Sequence, residues 1–180
     1  STIALVSALH AAFTNHTWVG PSAGSAVWDA DANWSPDGTP YDGTATPNNG
    51  SLNFGERAII GAATAARTVT TPSTATSIVA LTSWTQDTAA VNKLVLGADL
   101  TCTRFEQSIW DNTSGSAENM VVDLNGHKLQ LAYHFTPATT DGYEIMTSAS
   151  GGVWQLNGLY NMNANTIVGA GVTVRHANYY

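Results

Sequence analysis

The densest run of residues able to hold a cation is Asp29-Ala30-Asp31-Ala32-Asn33, with Asp37 and Asp42 beyond it. Oxygen donors at the first, third and fifth places suit Ca²⁺ and echo the opening of an EF-hand loop. An EF-hand is excluded all the same, because Trp34 stands where the loop needs glycine and Pro40 where it needs a bidentate glutamate. The plainer expectation is that these Asp and Asn side chains hydrogen-bond the backbone of their own turn. No metal site is assigned.

A second set of carboxylates, Asp99, Asp123 and Glu144, is spaced 24 and 21 residues apart. If each fell on the same face of a neighbouring coil, they would resemble the acid pairs of polysaccharide-cleaving enzymes. A hydrolase needs two carboxylates about 5–9.5 Å apart, and a lyase needs a base or a metal beside them, for which Arg104 and Lys128 are the nearby candidates. This third-ranked reading rests on fold analogy, so no catalytic residue is assigned. Histidines 10, 16, 127, 134 and 176 show no His-x-x-x-His spacing and no companion cysteine pair. Cys102 is the sole cysteine and sits at an alternating strand position, where a small buried hydrophobe is expected. There is no nucleophile elbow, phosphate loop or dinucleotide fingerprint, and no cofactor is expected. Six tryptophans and six tyrosines offer stacking platforms for sugars, but core and interface packing is the expectation.

The elements that would position these groups centre on residues 94–131. Leu94-Val95-Leu96-Gly97-Ala98-Asp99-Leu100-Thr101-Cys102 and Val122-Asp123-Leu124-Asn125-Gly126-His127-Lys128-Leu129-Gln130-Leu131 share one layout of alternating apolar residues broken at a glycine. That layout predicts strand, tight corner, strand. Looser copies are Trp154-Gln155-Leu156-Asn157-Gly158 and Ile167-Val168-Gly169-Ala170-Gly171-Val172-Thr173-Val174. Glycines 97, 126 and 158 are 29 and 32 residues apart, a period that suits one turn of a β-helix with loop insertions. Asn125-Gly126 and Asn157-Gly158 are equally the strongest short-range signal for a two-residue hairpin. The expected fold is therefore all-β: a short right-handed parallel β-solenoid, with an antiparallel β-sandwich or barrel as the alternative.

Upstream, Ile3, Val6, Leu9 and Phe13 lie close to helical spacing behind Ser1 and Thr2. Residues 1–16 are expected as an N-terminal helix or arm, either a lid on the domain or an arm reaching a neighbour, and residues 17–180 as a single β domain. Trp18, Gly20, Trp28, Asn33 and Trp34, followed by Pro36 or Pro40 and then a β pair, give the segment 17–60 a distinctive layout. It resembles the opening unit of autotransporter-type β-strand repeat and related β-helix surface proteins. The resemblance implies a right-handed parallel β-solenoid whose tryptophans pack at the first coil, and it implies no catalytic residues.

Composition narrows the function class. Charged residues make up 11% of the chain, about half the usual share, and small and hydroxyl residues fill their place. The net charge is −7, with six basic residues scattered singly, which argues against direct nucleic-acid binding. No apolar run approaches the ~20 residues of a membrane-spanning helix. Ile3–Phe13 is apolar yet lacks the basic flank of a secretory signal. The expectation is a non-enzymatic, homo-oligomeric structural protein at the surface of a virion. It would be a phage capsid decoration (cement) protein or a tail or fibre component that binds neighbouring capsid or tail proteins. Ile3, Val6, Leu9, Phe13, Tyr179 and Tyr180 are the expected interface residues. The alternative is a secreted adhesin or carbohydrate-binding module with a surface glycan as partner.

Overall fold

The computed structural model describes residues 14–35, 56–60, 65–85, 92–109, 118–136, 142–158, 160–162 and 165–176. The strands among them are β1 (Thr14–Trp18), β2 (Gly24–Val27), β3 (Trp34–Ser35), β4 (Glu56–Ile60), β5 (Arg67–Thr70), β6 (Thr76–Thr85), β7 (Asn92–Val95) and β8 (Leu100–Ile109). They continue with β9 (Glu118–Asp123), β10 (Lys128–Thr136), β11 (Gly142–Thr147), β12 (Gly152–Leu156), β13 (Tyr160–Met162), β14 (Asn165–Val168) and β15 (Val172–His176).

Successive strands feed two sheets in turn. The first runs β15-β12-β10-β8-β6-β4-β1-β3, with β13 also on β10, and the second runs β14-β11-β9-β7-β5-β2. Among the described residues every pairing is parallel except β1 with β3. The protein is thus all-β with parallel sheets, and both sheets have open edges. The antiparallel sandwich or barrel is not the pairing observed. Its cue was a true local signal: Asn125 has φ 47° and Gly126 φ 85°, and the His127 N–H donates to the Leu124 carbonyl at 2.8 Å. That turn delivers the chain from β9 in the second sheet to β10 in the first, so it joins two sheets where a hairpin would join two neighbours.

Parallel register stacks like positions into columns. In the second sheet Ala26, Val69, Leu94, Val122, Met146 and Val168 are successive partners. In the first sheet Thr76, Leu100, Leu129, Trp154 and Val174 form one column, and Ile78, Cys102, Leu131 and Leu156 another. The interior members of these columns are buried and make one hydrophobic cluster spanning both sheets. Each fully buried Leu, Val or Met contributes roughly 1.5–3 kcal/mol before ordering costs, so the columns are the main source of stability. Cys102 lies within one of them, buried as expected, with its Sγ 3.0 Å from the Arg104 carbonyl oxygen.

The corners repeat as well, though with a shift the glycine count did not anticipate. Gly97 and Gly126 mark corners from the second sheet to the first, and the next equivalents are Gly151 and Gly171, which share the positive φ of Gly126. Gly158 instead follows β12, so Trp154-Gln155-Leu156 aligns with Leu129-Gln130-Leu131. At Gly97 a Cβ would collide with the backbone carbonyl of Thr71 in the preceding corner.

Residues 1–13 and 177–180 fall outside the described residues, and with them Ile3, Val6, Leu9, Phe13, Tyr179 and Tyr180. Residues 14–16 of the expected arm are part of β1, paired in parallel with β4.

Candidate functional site

At the corner after β9, the polar residues are committed to holding neighbouring corners together. The Asn125 side chain, carried on a left-handed backbone that Asn tolerates better than most residues, donates its amide N–H to the Leu96 carbonyl at 3.1 Å. Asp99 Oδ1 accepts the Lys128 backbone N–H at 2.9 Å. These two bonds tie residues 96–99 to residues 124–128 from both directions. Gly126 N–H donates to Ser148 Oγ at 3.1 Å, and Gly97 N–H to Thr71 Oγ1 at 3.0 Å, which extends the tie to the corners on either side. Asp123 Oδ1 caps the Asn125 N–H at 3.0 Å while its Oδ2 lies 2.8 Å from Lys93 Nζ. His127 Nδ1 is 4.0 Å from Asp99 Oδ1, an ion pair only when the imidazole is protonated.

The sheet register separates Asp123 from Glu144. In the β9–β11 pair Asp123 is opposite Thr147 while Glu144 is opposite Met120. Three residues along a strand is about 10 Å, so these two do not share a column. Asp99 belongs to the corner before β8, and Asp123 to a strand position opposite Val95. Arg104 is on β8, exposed and opposite Tyr133 and Ala80.

The acidic turn behaves as the turn-backbone expectation has it at Asn33. Its Nδ2 donates to the Val27 carbonyl at 2.9 Å, and its carbonyl accepts the N–H groups of Val19 and Gly20 at 2.8 and 3.2 Å. Asp29 and Asp31 are exposed, and partial desolvation pushes the Asp29 carboxyl above its ordinary range. Asp37 and Asp42 lie outside the described residues. Among the described residues no group of three or more His, Cys, Asp and Glu is placed to hold a metal ion.

Four tryptophans, Trp18, Trp28, Trp34 and Trp154, are buried. Trp18, Trp28 and Trp34 are buried at the β1 end of the sheets; Trp18 and Trp34 meet edge to face at 5.1 Å, and the rings of Trp28 and Trp34 are tilted at 58° with centroids 4.8 Å apart. Trp34 Nε1 donates to the Trp28 carbonyl at 2.8 Å and Trp18 Nε1 to the Pro21 carbonyl at 3.2 Å. Trp154 is buried in its column. A sugar needs an exposed ring face, and none of these four offers one. His16 is packed inside, while His176 is exposed.

What the sequence reading missed is the apolar surface left at the two ends of the sheets. The large hydrophobic side chains exposed among the described residues are Val19 (57%), Val27 (55%), Ile167 (45%), Val168 (44%) and Val174 (47%). Val19 directly follows β1 and Val27 ends β2 at one end, and the other three are on β14 and β15 at the other. Val168 follows Met146, and Val174 follows Trp154, as the last members of columns whose interior members are buried. A sequence signal for this was present in the charge distribution: all thirteen carboxylates lie between Asp29 and Glu144, and residues 145–180 contain none.

Comparison with protein-family models, with curated proteins and with solved structures gives no match for this chain. No helix among the described residues is long and apolar enough to cross a membrane.

Proposed function

We propose that this chain is a non-enzymatic structural protein, built as a short right-handed parallel β-solenoid, that binds neighbouring subunits on the exterior of a particle. A phage virion is the setting this reading favours, with the chain as a capsid decoration (cement) protein or a tail or fibre component. The observation that carries the reading is where the molecule spends its polar groups and leaves its apolar ones. Asp99, Asp123, Asn125 and Ser148, the residues that chemistry would draw on, are engaged in holding one corner to the next. Among the described residues, the large apolar side chains left to solvent lie at or near the two ends, where a partner would cover them. A contiguous apolar end face is a mark of subunit contact.

The test is the mass in solution by light scattering, for the full chain and for the chain lacking residues 1–16. An assembly of three or more copies that falls to monomer on truncation supports the structural reading and the arm together. Monomers in both cases move the assignment to the adhesin or carbohydrate-binding class, with a glycan array as the next measurement.

A further inference from the structure

The chain contains three Asn-Gly pairs, at 49–50, 125–126 and 157–158, and the second and third are among the described residues. Asparagine before glycine is the sequence most open to deamidation, because glycine puts no side chain in the way of ring closure. The glycine nitrogen loses its proton and attacks the asparagine Cγ. A C–N bond forms, the side-chain nitrogen leaves as ammonia, and water opens the resulting succinimide to aspartate or isoaspartate. Asn125 and Gly126 are both exposed, so water has access to this pair.

Every group that the reaction must move is tied down at the corner after β9. The attacking nitrogen commits its proton to a neighbouring corner: the Gly126 N–H donates to Ser148 Oγ at 3.1 Å, and Ser148 is buried. The leaving nitrogen is held on the other side, since Asn125 Nδ2 donates to the Leu96 carbonyl at 3.1 Å. Swinging the Gly126 nitrogen toward Cγ also means turning the peptide between the two residues, which the turn bond from the His127 N–H to the Leu124 carbonyl at 2.8 Å resists. Asn157 is held differently. Its backbone N–H donates to the Leu131 carbonyl at 2.8 Å, and its Oδ1 accepts Gln155 Nε2 at 2.8 Å, a bond that draws electrons from Cγ and does not restrain the leaving nitrogen. We infer that Asn125 is a guarded modification site, a deamidation site that converts to a carboxylate only when its corner opens. The conversion is one-way. Aspartate at this position sets a carboxylate against the Leu96 carbonyl, acceptor against acceptor, with Asp123 already bonded to the same residue's N–H. Isoaspartate lengthens the main chain inside the turn. A corner that has opened long enough to react therefore loses its tie to the corner before it.

Cleavage after Arg104, Lys128 and Arg175 places Asn125 and Asn157 on separate peptides, so mass spectrometry of the digested full chain follows both sites in one sample. In mildly alkaline buffer, deamidation at Asn125 should be at least about tenfold slower in the folded chain than in urea, and slowed by the same factor as exchange of the Gly126 amide, since both need the same opening. Ser148→Ala removes the acceptor of the Gly126 N–H and keeps a side chain of nearly the same size. It should speed the reaction of Asn125 in the folded chain about fivefold, the worth of one ordinary hydrogen bond, and leave Asn157 unchanged. Reaction of Asn125 in the folded chain at its urea rate overturns the proposal, as does a slow reaction that does not track Gly126 exchange. A folded Ser148→Ala chain in which Asn125 is no faster, or in which both sites accelerate alike through general loosening, also overturns it. If Ser148→Ala fails to fold, the comparison with Gly126 exchange in the unaltered chain decides.

Discussion

Asn125 shows how much one residue can carry in this molecule. It supplies a left-handed backbone to the turn and an amide bond across to Leu96, and the two roles separate by mutation. Asn125→Gly keeps the backbone and loses the bond, so it should cost about 1 kcal/mol in chemical denaturation. Asn125→Ala loses the bond and adds the left-handed penalty of about 1–2 kcal/mol; equal costs would mean that the turn relaxes to another conformation. Gly97→Ala is the steric counterpart, with a Cβ driven onto the Thr71 carbonyl, and should cost about 1–3 kcal/mol. Asp29 acts in the opposite direction. Its folded carboxyl titrates above the ordinary 3.8 because desolvation disfavours its charge, so the folded state holds that proton more tightly than the unfolded chain. The ionised carboxyl therefore opposes folding at neutral pH, and the opposition fades as pH falls through the folded value toward and below 3.8. Asp29→Asn should melt slightly higher at pH 7 and identically at pH 3; a lower melting point at pH 7 would mean that its turn bonds outweigh desolvation.

At the scale of strands, position in the column decides what a side chain contributes. Met146 and Val168 are neighbours in one column, the first buried between β9 and β14, the second at the open end. Met146→Ala should cost about 2–5 kcal/mol, whereas Val168→Ala should change the stability of the monomer by no more than about 0.5 kcal/mol. Comparable losses from urea titrations of the two would show that Val168 is covered within its own chain. These columns also mark the boundary of what the sequence makes legible. The alternation of Leu94, Leu96, Leu100 and Cys102, and of Val122, Leu124, Leu129 and Leu131, identifies strands and their buried faces, and Gly97 and Asn125-Gly126 identify corners, because both depend on neighbours along the chain. The partner of a strand depends on residues some 25–30 positions away, and an Asn-Gly turn is locally the same whether the next strand returns beside the last or crosses to another sheet. The same limit scattered the candidate site: Asp123 and Glu144 look stackable by spacing, and one register places them three residues apart. Trp154-Gln155-Leu156-Asn157-Gly158 copies the apolar layout of the earlier phrase while occupying the strand that follows the corner, a shift that no local pattern records.

For the molecule as a whole, the two open ends mean that stability falls off along the sheets. A strand in the middle has neighbours on both sides and a closed column beneath it, whereas among the described strands β14 and β15 have one neighbour each and leave Ile167, Val168 and Val174 partly in water. In stacked architectures stability is close to a sum of nearest-neighbour terms, and the elements with fewest neighbours open first. Hydrogen exchange at low protein concentration should therefore protect the amides of Leu94, Val122 and Leu129 most and those of Ile167 and Val174 least. The β1 end should lie between these, because Trp18, Trp28 and Trp34 close it and β3 pairs with β1. If neighbouring subunits cover the far end, as the proposed function has it, exchange at Ile167 and Val168 should slow as concentration rises. Protection that is uniform along the monomer would show both ends to be covered intramolecularly. Protection that stays low at β14 while the mass rises would place the contact between copies on another surface, so the exchange pattern and the mass together decide whether assembly runs along the sheets or across them.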